Sequence, residues 1–172
     1  MTVRSRHVLS DGTALILRPI EARDKGELQL GLTRLSPKAV QLRFLAPKTR
    51  FTKAELRYLT EVDGHDHVAI AVELESDPGT IVGVGRYVRL NDDPGTAEAA
   101  IVVADFLQRR GLGTILAEAL AEQAVSHGIR RFTAMMLGDN NAAQRLMAKL
   151  TDRLETHYDG AGAVDATTDL VA

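Results

Sequence analysis

Gln108-Arg109-Arg110-Gly111-Leu112-Gly113-Thr114 joins two stretches of different texture. Before it runs Ala97–Val103, small and β-branched except for one acid, Glu98, and strand-like in pattern. After it, Leu116, Leu120 and Ala124 recur on one helical stripe to about Ser126, and His127-Gly128 supplies a glycine stop. Phe132–Leu137 is strand-like again. Strand, helix, strand is a βαβ unit, and its two strands are expected to lie parallel as neighbours.

The loop is suited to hold an anion. Two glycines let the backbone turn tightly and approach a ligand. The first N–H groups of a helix lack internal partners, and the helix dipole favours negative charge there. With Arg109 and Arg110 alongside, a pyrophosphate is the natural occupant. A Walker-type phosphate loop is excluded, because no lysine precedes Thr114. A dinucleotide fingerprint needs Gly or Ala at position 116 and an acid about twenty residues on. Position 116 is Leu, and Thr133-Ala134-Met135-Met136 ends in no acid. The plainer alternative is that Gly111 and Gly113 only shape a strand-to-helix turn.

Upstream, Val68–Leu74, Thr80–Leu90 and Ala97–Val103 are separated by Ser76-Asp77-Pro78-Gly79 and by Asn91–Thr96, which predicts an antiparallel meander. Further back, Asp11-Gly12 reads as a turn and Ala14–Leu17 as a strand. Asp24 is placed to cap a helix running to about Leu35. Ser36-Pro37 starts another as N-cap and first helical residue. Thr52 with Glu55 is a capping box for a third. Downstream, Asp139/Asn140 opens a helix through Leu150, and Leu154–Tyr158 with Val164–Val171 forms a closing pair around Gly160-Ala161-Gly162. The expected architecture is α/β: a mixed, mostly antiparallel sheet of about seven strands flanked by helices, with a central βαβ unit. Residues 1–172 read as one domain, with 1–13 as a flexible, polar start.

Composition narrows the functions. Of 172 residues 45% are hydrophobic, enough for a core without staples. A net charge of −2 and aromatics at 4% argue against nucleic acid and anionic membranes as partners. The absence of cysteine removes thiol nucleophiles and thiolate metal sites. MTVRSRHVLSDGT has no apolar signal region, and Val68–Val72 and Ala99–Ala104 are too short to cross a bilayer. A soluble cytoplasmic protein is the expectation. Asp63, His65, Asp66 and His67 read as a polar loop rather than a metal site, and no metal is implied. Met135, Met136 and Met147 read as core or channel lining. Arg43 and Arg50 suit either a substrate channel or solvent.

Gln108-x-x-Gly111-x-Gly113 after a strand resembles the acyl-CoA pyrophosphate loop of the GNAT superfamily. Asn140-Asn141-Ala142-Ala143-Gln144-Arg145-Leu146-Met147 resembles that family's Asn-x-x-Ala-x-x-Leu/Phe helix, and the element order resembles the GNAT fold from Ala14 to about Val171. Leu35-Ser36-Pro37, Leu42-Arg43-Phe44, Leu56–Asp63, His67–Val72 and Ala97-Glu98 are similar to bacterial Pat-type protein lysine acetyltransferases. Those relatives often join a cyclic-nucleotide-binding or synthetase-like domain, for which 172 residues leave no room. The resemblance implies acetyl-CoA as co-substrate and an amine as acceptor. It implies that the Ile101, Val102 and Val103 backbone pairs with the pantetheine arm. Gln108, Arg109, Arg110, Gly111, Leu112, Gly113 and Thr114 would hold the pyrophosphate, and Asn140 and Ala143 would lie by the arm. A strand N–H near Val103 becomes the oxyanion donor.

Glu98 is the general-base candidate, as an acid in an apolar strand and at the position of the proposed base in the Pat-type relatives. The alternative is a solvent-facing strand residue. Met147 stands where many GNAT enzymes carry a thiol-protonating Tyr; Tyr158 and Tyr87 are other phenols, and nothing in the sequence places either at the sulfur. The implied acceptor is a protein lysine ε-amine. A small amine, a protein N-terminus, or a non-catalytic acyl-CoA-binding role stay open. The acceptor site is expected from Gly26–Val62 and the terminal hairpin.

Overall fold

The computed structural model describes residues 4–151 and 153–170. Its strands are β1 (Ser5–Val8), β2 (Ala14–Pro19), β3 (His67–Leu74), β4 (Asp77–Arg89), β5 (Thr96–Val103), β6 (Arg131–Leu137), β7 (Leu154–Tyr158) and β8 (Ala163–Asp169). The helices are α1 (Lys25–Arg34), α2 (Pro37–Phe44), α3 (Lys53–Thr60), α4 (Leu112–Ser126) and α5 (Asn141–Lys149). One eight-stranded sheet runs β1-β2-β3-β4-β5-β6-β8-β7, antiparallel except where β5 meets β6. The expected α/β class is observed, with one strand more than the sequence suggested. That strand, β1, lies in the polar start, where burial alternates between intermediate and exposed. Such an edge strand carries little hydrophobic signal.

Local chemistry sets the helix starts. The Ser36 hydroxyl accepts from Ala39 N–H at 3.2 Å, with Pro37 as first helical residue of α2. Thr52 and Glu55 bond reciprocally at the start of α3, at 3.1 and 2.7 Å. Asp24 departs from expectation. It precedes α1 in helical geometry with no capping bond to that helix. Its carboxylate instead accepts from Arg18 at 2.8 Å and from Glu21 N–H at 2.7 Å. Arg18 also donates to Glu73 at 2.7 Å, so a buried cation is shared by two acids. The β3–β4 turn falls at Glu75-Ser76, so Asp77-Pro78-Gly79 are the first residues of β4, opposite a register shift.

The sheet has two covered faces. Leu112, Leu116, Leu120 and Ala124 of α4, with Met147 of α5, pack on Tyr87, Ala97, Phe132 and Val164. Gly85 permits that approach: a Cβ there would lie 2.8 Å from Leu120 Cδ1. On the opposite face, Leu28 of α1 and Leu56 and Leu59 of α3 pack over Ala69, Ala71 and Val84. α2 contacts β5 and β6.

Candidate active site

The sheet opens beside the glycine loop. β5 pairs with β6 only at Thr96–Arg131, Ala97–Phe132 and Glu98–Thr133. Beyond Glu98, β5 stays with β4 as far as Val103–Gly83, while β6 stays with β8 as far as Leu137–Ala163. Ala104 N–H bonds Val82 carbonyl at 2.8 Å. Antiparallel alternation then turns the backbone of Val102, Ala100 and Glu98 to β4, and that of Ala99, Ile101 and Val103 to the gap. Within Ile101–Val103, it is Ile101 and Val103 that present polar backbone there. Val102 is spent on the ladder, and its side chain lines the cleft under α1 and α2.

At the end of β5 one 3₁₀ turn, Asp105–Leu107, leads into the loop. The Gln108 side chain donates to Val103 carbonyl at 3.1 Å, tying the loop to the strand. Arg109 and Gly111 both have positive φ, 59° and 93°. The first bond of the helix is Ile115 N–H to Gly111 carbonyl, at 3.1 Å. The backbone N–H groups from Arg109 to Thr114 therefore have no acceptor among the described residues, ahead of a helix dipole. Gly111 is required by its φ, and the space at its Cβ is open. Gly113 has no such need: a Cβ there would rest 3.7 Å from Leu146. The free N–H groups and the open gap fit a pantetheine diphosphate.

The side chains expected there divide. Arg109 is exposed, whereas Arg110 is ion-paired to Asp11 at 2.8 Å. Leu112 is fully buried in the core, so only its backbone can face a ligand. Thr114 accepts from Lys149 Nζ at 3.3 Å, which brings an unforeseen cation beside the loop. Asn140 caps α5 by accepting from Ala143 N–H at 3.2 Å. Both Asn140 Oδ1 and that N–H are thus engaged with each other. Met147 is buried in the core and Met136 with it, but Met135 is 56% exposed.

Glu98 of β5 projects from the same face of the sheet as Arg86 of β4, opposite Val88, and is exposed. Arg43 of α2 lies within its electrostatic reach. Burial pushes the Arg43 guanidinium below its usual range, and Glu98 and Tyr58 oppose this. Arg86 is buried; its Nη1 lies 3.2 Å from His67 Nε2 and its Nη2 donates to Leu59 carbonyl at 3.2 Å. Tyr58 packs on the His67 ring, centroids 4.8 Å apart. Burial and then Arg86 hold His67 below its usual value. A neutral His67 with its proton on Nδ1 accepts the Arg86 bond. Asp63 anchors the loop before β3 by accepting N–H bonds from His65, Asp66 and His67. Tyr87 lies on the α4 face, bonded to His127 at 2.8 Å, and Tyr158 is exposed near Gly138. Arg86 escaped the sequence reading, although a lone charge in the apolar run Ile81–Val88 is the signal that singled out Glu98.

The sequence profile of the acetyltransferase (GNAT) family matches residues 38–151. The chain is 34% identical over 139 residues to acetyltransferase Pat of Mycolicibacterium smegmatis, covering 81% of this chain but 41% of that protein. It is 31% identical over 144 residues to acetyltransferase PA5475 of Pseudomonas aeruginosa, covering 83% of this chain and 74% of that one. The crystal structure of the GNAT domain of S. lividans PAT superposes with a TM-score of 0.86 at 28% identity, over 97% of both chains. The chain thus spans under half the length of the M. smegmatis relative.

Proposed function

The chain belongs to the GNAT acetyltransferase family, and from that premise we propose that it transfers an acetyl group from acetyl-CoA to an amine. The observation that carries this reading is the coincidence of two features. β5 parts from β6 after Glu98, and the loop at the end of β5 offers unpartnered N–H groups from Arg109 to Thr114. The thioester supplies an activated acyl carbon. The loop N–H groups, with Arg109 and Lys149, hold the diphosphate. The gap-facing backbone of Ile101 and Val103 aligns the arm, and an N–H of that row, at or near Val103, steadies the oxyanion.

Glu98 serves as general base. An acceptor lysine starts near pKa ~10.4 and must shed a proton before its nitrogen can attack. The exposed carboxylate at the mouth of the gap takes that proton directly or through a water. The products are the amide and free CoA, whose sulfur regains a proton from solvent; no phenol stands assigned to that step. The acceptor we favour is a protein lysine ε-amine, in the cytoplasm, on the likeness to proteins named Pat. A chain without cysteine suits that reducing compartment. We treat residues 1–172 as one such unit.

Calorimetry with acetyl-CoA, beside turnover followed by CoA release, tests the reading. Glu98→Gln is expected to bind acetyl-CoA as wild type does and to lose about 10²- to 10⁴-fold in kcat. A variant that keeps full turnover removes Glu98 as base. A well-folded wild type that fails to bind acetyl-CoA removes the acyltransferase reading.

A further inference from the structure

Two guanidinium groups line the cleft on the α1–α3 side of the sheet, and neither meets a carboxylate. Arg86 is 6% exposed, and its bonds go to a neutral imidazole and a carbonyl. Arg43 makes no ion pair among the described residues; its guanidinium carbon lies 4.9 Å from the centre of the adjacent Phe44 ring. Of the other charges in the cleft, Arg34 pairs with Glu27 at 2.6 Å, Asp105 accepts from the Ser36 hydroxyl at 2.6 Å, and Asp77 stands at the start of β4, far along that strand from Arg86. Burial and the like charge of Arg43 push Arg86 down to about 10. A buried cation such as Arg86 without a counter-charge is costly, and the half-buried Arg43 adds a second positive charge near it. Here they lie in a ligand-sized cleft of about 620 Å³ with an otherwise largely apolar wall.

The cluster sits beside the base. Arg86 is opposite Ala100 and Glu98 is opposite Val88, so the two occupy diagonal positions on one face, about 7–8 Å apart at the backbone. Asp77 lies at the start of β4 and Asp105 past the end of β5, so around Arg86 two arginines against Glu98 leave a single positive charge. One carboxylate neutralises it, whereas a phosphate dianion would also confront Glu98.

We propose that Arg43 and Arg86 form an anion subsite within the acceptor site, so that the preferred acceptor is an amine accompanied by a carboxylate. The proposal rests on the acceptor lying at Glu98, as the proposed function places it. The carboxylate has two possible sources: an acidic side chain beside a lysine, or the α-carboxylate of a free amino acid. In either case the guanidinium pair fixes the anion and directs the amine to Glu98.

The test compares acceptors that differ only in that charge: a Glu-Lys peptide against its Gln-Lys twin, and free amino acids against their amides. Each is assayed for acetyl transfer and titrated calorimetrically onto the chain, with and without CoA. The carboxylate member of at least one pair is expected to be favoured by about ten- to a hundredfold in kcat/KM and in affinity. That ratio is expected to fall to near one in Arg86→Met and in Arg43→Met, mainly through KM, with acetyl-CoA affinity kept. Arg43→Met removes no side-chain hydrogen bond among the described residues, so it stays informative if Arg86→Met folds poorly. A ratio near one in wild type, or a ratio unchanged in Arg43→Met, overturns the subsite. So does an arginine-dependent preference for succinyl-CoA over acetyl-CoA, which would place the anion on the acyl group. The titrations read the subsite even if no acceptor turns over, and loss of acetyl-CoA binding reports on the acyltransferase reading alone.

Discussion

Gly113→Ala is expected to move stability and coenzyme affinity in opposite directions. Gly113 is the second residue of α4 and has ordinary helical φ, in contrast to Gly111. An added methyl would meet only Leu146 Cδ2, at 3.7 Å, an ordinary contact. Alanine at a compatible glycine restricts the unfolded chain and gains about 0.4–1 kcal/mol. For a chain of this size that raises Tm by about 1–4 °C. The same methyl intrudes where backbone N–H groups are proposed to meet the diphosphate. Displacing one charge-assisted bond costs about 1.5–3 kcal/mol, or about ten- to a hundredfold in acetyl-CoA affinity. Urea denaturation and calorimetry on one preparation read both effects. Gly111→Ala is the contrast: at φ 93° it carries strain of about 1–2 kcal/mol and should lower stability and affinity together. A Gly113→Ala protein that is stabilised yet binds acetyl-CoA as wild type does would refute close backbone approach. A destabilised one would refute the free space at Leu146.

Arg18→Met should cost about 3–5 kcal/mol in chemical denaturation, because it leaves Asp24 and Glu73 buried without their cation. For Asp24, burial pushes the carboxyl up, but Arg18 and the Glu21 N–H outweigh it, and the net shift is downward. A lowered folded value contributes stability above the unfolded pKa of ~3.9 that is lost as pH falls through the folded one, so Arg18→Met should flatten the acid limb of stability against pH. Ser36→Ala removes the cap of α2 and its bond to Asp105 at 2.6 Å, at a cost of about 1–2 kcal/mol by denaturant titration. Because α2 carries Arg43, the same variant should raise acceptor KM more than acetyl-CoA KM.

The chemistry of the turns and caps was legible because it is local. Ser36-Pro37, Thr52 with Glu55, and His127-Gly128 act through neighbours a few residues away, and each stands where its type predicts. The βαβ unit was legible because Leu116, Leu120 and Ala124 keep a helical period between two apolar runs. Asp24 misled because its partners, Arg18 and Glu73, come from two strands, and a buried cation outcompetes a cap. The Arg110–Asp11 and Lys149–Thr114 contacts were not legible for a similar reason, since each joins residues far apart in the chain.

By itself the sequence determined the order of elements, the glycine loop at a helix start, and the one acid in the strand before it, since these follow from periodicity and backbone preference. Tertiary structure alone decided where β5 leaves β6, which backbone groups face the gap, and that Arg43 and Arg86 line one cleft with no ion pair to a carboxylate among the described residues. Those depend on strand register and on α2 crossing the sheet, contacts between residues far apart in the chain that no local pattern encodes.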